Sequence, residues 1–381
     1  MKRVIYSSPK FQVCHYHHLK SYHIVLFFED IVLSFFLLSI LMASSSSSAS
    51  SAKVAAPMDP TTAVLIRVDQ SGKGDYRKIQ DAVDAVPSNN SEYVFIWVKP
   101  GTYREKIVVP ADKPFITLSG TQASDTIITW NDGHEIYDSP TLSVLASDFV
   151  GRYLTIEANC ISILLMTYET FLLVQNTFGK SGKGVALRVS GDKAAFYGCR
   201  ITSYQDTLLD DAGRHYYSNC YIEGATDFIC GNAASFFEKC HVHSTLESGN
   251  GAITAQKRDS PWENTGLVFL GCKITGVGIG TALLGRPWGV YSRVIYAFTY
   301  MSSAISPQGW NNWGMVEKER TVLYGEYKCH GPGADRTKRV NWSKNLTSEE
   351  AAPFLTKDLI GGRGWLRPAP NKFKRDFSAK L

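Results

Sequence analysis

Between Ala63 and about Tyr327 the chain is written in short apolar runs separated by Gly, Pro, Asn and Asp. Such runs, rich in β-branched and aromatic residues and bounded by turn formers, predict strands. VLIRVDQSG (64–72) reads as a strand entering a turn, and YVFIWVK (Tyr93–Lys99) as a strand stopped by Pro100-Gly101. Ile107–Val109, Phe115–Leu118 and Thr126–Thr129 read as three more. Tyr76–Val86 has helical spacing, with Ile79, Val83 and Val86 on one face, and no later stretch of this span has it as clearly.

The strand pattern repeats. Phe196–Ile201, Tyr217–Ile222, Phe237–Val242 and Phe269–Ile274 each read aromatic, two spacers, Cys, one spacer, Ile or Val, with cysteines at 199, 220, 240 and 272. The spacings are 21, 20 and 32 residues, so the third repeat carries a longer loop. Short strands in repeats of this size, with like residues in register, predict an all-β parallel solenoid. A sandwich would not produce the ladder, and a propeller needs several strands per repeat. Equivalent residues on adjacent turns then lie about 4.8 Å apart. The cysteines point into the core at a separation that permits bridges.

The ends differ from this body. Residues 1–60 hold the apolar run Ile31–Ala43, basic residues before it and a Ser/Ala-rich tract after it. That is the layout of a secretory signal or signal-anchor followed by a linker. Gly331–Leu381 is richer in Pro, Gly and charge and is expected to pack along the solenoid. Ser348 is placed to cap a short helix, and 371–381 forms a basic tail.

Composition narrows the classes. The chain is 44% hydrophobic and 20% charged, as globular proteins are, and its net charge of +5 is spread along the sequence. Without basic runs interleaved with aromatics, no nucleic-acid partner is expected. Eight cysteines form no CxxC pair, which argues against a zinc site. Sequons at Asn89, Asn341 and Asn345 fit a secreted glycoprotein.

Candidate chemistry lies inside the repeat. Asp206 follows Cys199 by seven residues and Asp227 follows Cys220 by seven, so two carboxylates occupy one position on successive turns. Such a pair splits its ionisation, giving one group suited to proton donation and one to nucleophilic attack. Arg286 is the candidate cation to keep one carboxylate charged, and Gln205 a candidate oxyanion donor. Trp288, Trp310 and Trp313 are flat faces on which a sugar can stack. Spacing alone leaves a second reading open, in which the aspartates merely cap turns.

Five ordered motifs bear on that choice: GTYREK (Gly101–Lys106), VALRVSGDKAAFY (Val185–Tyr197), YQDTL (Tyr204–Leu208), DFICGNA (Asp227–Ala233) and LGRPW (Leu284–Trp288). Together, over about 62–370, the sequence resembles the plant pectin methylesterases, or pectinesterases. The resemblance implies a right-handed, single-stranded parallel β-helix of the pectin-lyase-like kind, with a catalytic domain over 61–370. It also implies the form without an inhibitor-like prodomain, since about 60 residues precede that domain. The reaction it implies is de-esterification of methylated homogalacturonan to pectate and methanol in the cell wall, through an aspartyl acyl-enzyme and without a metal or other cofactor. Asp227 is then the nucleophile, Asp206 the proton donor and base, and Gln205 the transition-state stabiliser. Arg286, Trp288, Thr141 and Lys183 are then the substrate-binding residues. Pectin and proteinaceous pectinesterase inhibitors are the implied partners of a monomeric chain.

Three features depart from the family pattern. KGVAL stands where the family has QAVAL, so Lys183 occupies the place of an oxyanion-hole glutamine. Cys230 replaces a phenylalanine beside Asp227. The apolar stretch 157–174, with Cys160, reads as an insertion between turns. Lys183 and this stretch motivate one alternative, a catalytically weakened pectin-binding wall protein, and the stretch alone reads as a retained intron or gene-model error rather than a genuine lid or interface loop. A lyase or glycosidase on a similar solenoid is a third class.

Overall fold

The structure is a computed structural model that describes residues 58–133, 135–158 and 182–377. Their strands stack into three parallel sheets of twelve, eight and seven strands. Each turn of the coil adds one strand to each sheet. Ala194–Tyr197, Arg200–Thr202 and Leu208–Asp210 make one turn, and Arg214–Ser218, Tyr221–Gly224 and Ile229–Gly231 the next. Corresponding strands pair in parallel, in the register of the repeat. This is the right-handed parallel β-helix that the sequence resemblance implies.

The core is a set of ladders. Phe196, Tyr217, Phe237, Phe269 and Tyr296 are register partners in the twelve-stranded sheet and are fully buried. Their rings stack at centroid distances of 5.2, 4.6, 4.5 and 4.6 Å. The next position is Glu326, equally buried, which accepts from Arg339 at 3.0 and 3.1 Å and from Arg336. An ion cluster therefore ends the aromatic column.

The cysteines form the adjoining ladder and are free thiols, buried at 199, 220, 240 and 272. Cys220, Cys240 and Cys272 each donate to the backbone carbonyl of the aromatic one turn back, at 3.4–3.5 Å. Thr299 and Cys329 continue this column, contacting Phe269 and Tyr296 in the same manner. Just before each ladder residue the backbone is left-handed, at Gly198, Asn219, Lys239, Gly271, Phe298 and Lys328. One residue at positive φ turns the chain from the twelve-stranded into the eight-stranded sheet, and the turn recurs on each rung.

The local expectations hold with adjusted ends. The helix is Ile79–Asp84, and the Glu105 carboxylate caps it by accepting from the Ile79 and Gln80 amides, both at 3.0 Å. The late helix Ser348–Ala351 is capped by Thr347, not Ser348, in a capping box with Glu350. The segment around it covers the outer face of the twelve-stranded sheet, where Ala351, Ile360 and Trp365 pack near Tyr216 and Phe236. The basic tail is more than a tail, because Lys372–Lys374 pairs with Thr62–Val68 and closes one edge of that sheet. Glu157 and Ala158 belong to the strand Thr155–Ala158, in register on both sides, so the insertion expected over 157–174 does not include them. The leader and the rest of that stretch lie outside the described residues. No described helix is long and apolar enough to cross a membrane.

Tyr217 joins both ladders to a buried polar group. Its ring stacks between Phe196 and Phe237, and its hydroxyl donates to Asp210 at 2.7 Å. Asp210 also meets His215 Nδ1 at 2.6 Å and accepts from Ser235. Tyr217→Phe keeps the stack and is expected to cost about 1–3 kcal/mol. Tyr217→Ala loses the ring as well and is expected to cost a further 3 kcal/mol or so. Denaturant midpoints at unchanged m-value are the measurement.

Candidate active site

The site is built where the chain passes from the eight-stranded to the seven-stranded sheet. Gln205 bridges in parallel with Thr226, so Asp206 and Asp227 are neighbours on successive rungs. The Asp206 amide donates to the Thr226 carbonyl at 3.3 Å, and the Asp227 amide to the Ala252 carbonyl at 2.6 Å. Both aspartates have left-handed backbones, with φ of 58° and 49°. Asp is among the few side chains that adopt this conformation readily, because its short polar group can bond locally.

Arg286 arrives from two rungs beyond Asp227. The register Arg188, Leu209, Cys230, Ala255 follows the outward row of the seven-stranded sheet, and Arg286 directly follows the strand Ala282–Gly285. Its amide is fixed on the Thr254 carbonyl at 2.9 Å. Its side chain donates from Nε and Nη2 to the two Asp227 oxygens at 2.8 and 2.5 Å. Cys230 and Ala255 are small enough to leave this path open. The guanidinium lies 4.0 Å from the centre of the Trp313 ring, which limits it to one orientation.

These groups surround a cavity of about 250 Å³ lined by Lys183, Gln205, Asp206, Asp227, Arg286 and Trp288, among others. Leu209, Cys230 and Ala255 form an apolar floor, with Ile136, Trp288 and Trp313 packed against it. A larger cavity of about 560 Å³, bounded by strand Thr62–Val68 and residues 375–377, includes none of these residues.

Burial governs the electrostatics. Asp206 is pushed up to about 7, first by burial and then by the charge of Asp227, while Lys183 and Arg286 oppose the rise. Burial also raises Asp227, against the hydrogen bonds and charge of Arg286 and the charge of Lys183. Arg286 therefore offsets desolvation without overcoming it, and the expectation that it would hold Asp227 down is corrected to that extent. The asymmetry survives because only Asp227 has the arginine clamp. Asp227 ionises first and its charge keeps the proton on Asp206. An ionised carboxylate beside a protonated one is an arrangement that suits acyl transfer.

Other candidates separate. Gln205 is held by its backbone, with its carbonyl accepting from Gly184 at 3.1 Å, and its side chain lines the cavity. Trp288 lines the cavity, with the Lys257 ammonium 4.8 Å from its ring centre. Trp310 does not present a face. It is fully buried and stacks on Tyr324 at 4.4 Å. Thr141 is also fully buried and outside the cavity lining, donating to the Glu157 carbonyl at 3.0 Å. Thr207 repeats that contact with Glu223 at 2.9 Å, which marks both threonines as turn supports.

Lys318 was not legible from motifs. Its buried ammonium donates to the Pro287 and Trp288 carbonyls at 2.9 and 3.1 Å and pins the loop behind Arg286.

Comparison with known proteins agrees with this geometry. The pectinesterase family model matches residues 65–162 and 166–363, leaving 163–165 between its two segments. "Putative pectinesterase 11" of Arabidopsis thaliana is 61% identical over 319 residues, covering 83% of this chain and 85% of that protein. "Pectinesterase QRT1" of the same plant is 43% identical over 80% of this chain and 79% of its own length. Among solved structures, pectin methylesterase from carrot superposes with a TM-score of 0.71 at 31% identity, covering 80% of this chain and 94% of that one. The Aspergillus niger pectin methylesterase gives 0.66 at 30% identity, covering 81% and 96%. With the repeat, the β-helix and the paired aspartates on adjacent rungs, these matches establish that the chain belongs to the pectinesterase family.

Proposed function

We propose that the protein hydrolyses the methyl esters of homogalacturonan, with Asp227 as nucleophile and Asp206 as acid and base. The observation that carries this reading is the pair of adjacent carboxylates of which one alone is clamped by Arg286. Asp227 attacks the ester carbonyl, and Gln205 donates to the oxyanion that forms. Collapse of the tetrahedral intermediate expels methoxide, which takes the Asp206 proton and leaves as methanol. Asp206, now ionised, draws a proton from water. The hydroxide attacks the acyl-enzyme, freeing a galacturonate carboxylate and Asp227. Two proton transfers at one group explain why burial must bring Asp206 near neutrality.

Trp288 is the sugar platform in this reading, and Lys183 adds a positive charge facing an anionic polymer. Thr141, buried on its backbone partner, is left out of the substrate contacts. The reading of residues 1–60 as a secretory signal or signal-anchor with its linker supports secretion to the cell wall. Asn89, Asn341 and Asn345 are exposed, as glycan acceptors must be.

Asp227→Asn keeps the side-chain shape and is expected to reduce methanol release from methylated pectin by about a thousandfold or more. An unchanged rate removes Asp227 from the mechanism. In the wild type, kcat/KM is expected to fall as pH rises through about 7, where Asp206 loses its proton. The same group governs a stability difference. Native Asp206 holds its proton where the unfolded side chain, with its ordinary value of 3.8, has lost it, so folding stability drains away between about 4 and 7. Asp206→Asn is therefore expected to gain stability over the wild type across that range and to keep the advantage above it. Melting temperatures at pH 4, 6 and 8 read this directly.

A further inference from the structure

Four charges stand along one line of rungs. Lys183 lies on the turn before Gln205 and Asp206, because Gly184 donates to the Gln205 carbonyl at 3.1 Å and Leu187 pairs with Leu208. Asp206 follows, then Asp227, and then Arg286 reaching back from beyond Ala255. The order is cation, carboxyl, carboxyl, cation. The two cations are not equivalent. Arg286 is committed to Asp227 by two hydrogen bonds, whereas Lys183 is exposed, lines the cavity and has no hydrogen-bond or ion-pair partner among the described residues.

We propose that Lys183 is a positioning residue for the proton switch at Asp206, acting as the free counter-charge that sets the alkaline limit of the reaction. The inference rests on the roles assigned above to Asp206 and Asp227. The groups facing Asp206 can be named. Asp227 and Arg286 face it from the following rungs and Lys183 from the preceding one. Cys230 faces it from the floor, and burial keeps that thiol neutral by pushing it well above its ordinary range. Lys257 stands farther off, over Trp288. Of the two cations, Lys183 opposes the rise at Asp206 more strongly than Arg286 does. A neutral amide at 183 supplies a donor but no such charge, so a lysine there exchanges an uncharged contact for control over when Asp206 releases its proton.

The test compares wild type with Lys183→Gln and Lys183→Arg, following methanol release from methylated pectin against pH. In K183Q the alkaline limb is expected to move up by about one pH unit, because a nearby positive charge no longer favours the carboxylate. K183R is expected to keep the wild-type limb. The gap between wild type and K183Q is expected to narrow at 1 M salt, since Lys183 is exposed. A limb that stays in place in K183Q, or moves equally in K183R, overturns the proposal. Absence of methanol release by the wild type would refute the assigned reaction instead. In that event, carboxyl ¹³C titration of Asp206 in wild type and K183Q still decides the case. An upward shift in K183Q supports the role of Lys183, and coincident curves overturn it.

Discussion

Register between rungs is the constraint on which everything else depends. A parallel β-helix has no independent core for each turn, so every side chain is placed by the residue one turn before it. Two contacts fix that register here. Rings stack down the column from Phe196 to Tyr296, and the thiols of Cys220, Cys240 and Cys272 bond the backbone of the aromatic one turn before. A slip by one residue would turn each of these side chains to the opposite face. The same register brings Asp206 beside Asp227, and catalytic spacing is thus a by-product of core packing.

The site uses that enforced proximity against its own stability. Burying two carboxylates one rung apart is unfavourable, and one arginine with one lysine offsets only part of it. The rung register that joins Gln205 to Thr226, with the backbone bonds of both aspartates, holds the pair in place. Lys318 does the same for the opposite wall by spending a buried ammonium on two loop carbonyls. Rigidity lies in the rungs and behind the loops, and polarity is left to the cavity.

Much of this was legible in the sequence because solenoid geometry is periodic. The spacing from Cys199 to Asp206 and from Cys220 to Asp227 was enough to place both aspartates on one row, and the register bears that out. Periodicity failed where the column changes chemistry. Cys329 was missed because Thr299 interrupts the cysteines and Glu326 replaces the expected aromatic. Trp310 looked like a sugar platform because a tryptophan in a loop motif carries no mark of burial, and only the end of the aromatic column shows that it is core. The sequence likewise showed Arg286 as a cation for Asp227, but not that desolvation would outweigh it. That balance depends on three-dimensional burial, which no spacing encodes.

The same modularity keeps the described rungs on either side of residues 159–181 in register. Residues 159–181 fall between Thr155–Ala158 and Leu187–Val189. Both flanking strands keep their partners, the first with Thr126–Trp130 and Arg200–Thr202, the second with Leu142–Val144 and Leu208–Asp210. A longer connection adds closure entropy only logarithmically, about 0.6 kcal/mol for each doubling, whereas a shift of register would break both ladders at once. The flanking strands therefore hold their register on both sides. Lys183 sits two residues past that segment and one rung before Asp206, at the point where the protected geometry begins. Whatever the length of the connection, its charge is delivered by the register that Gly184 makes with Gln205.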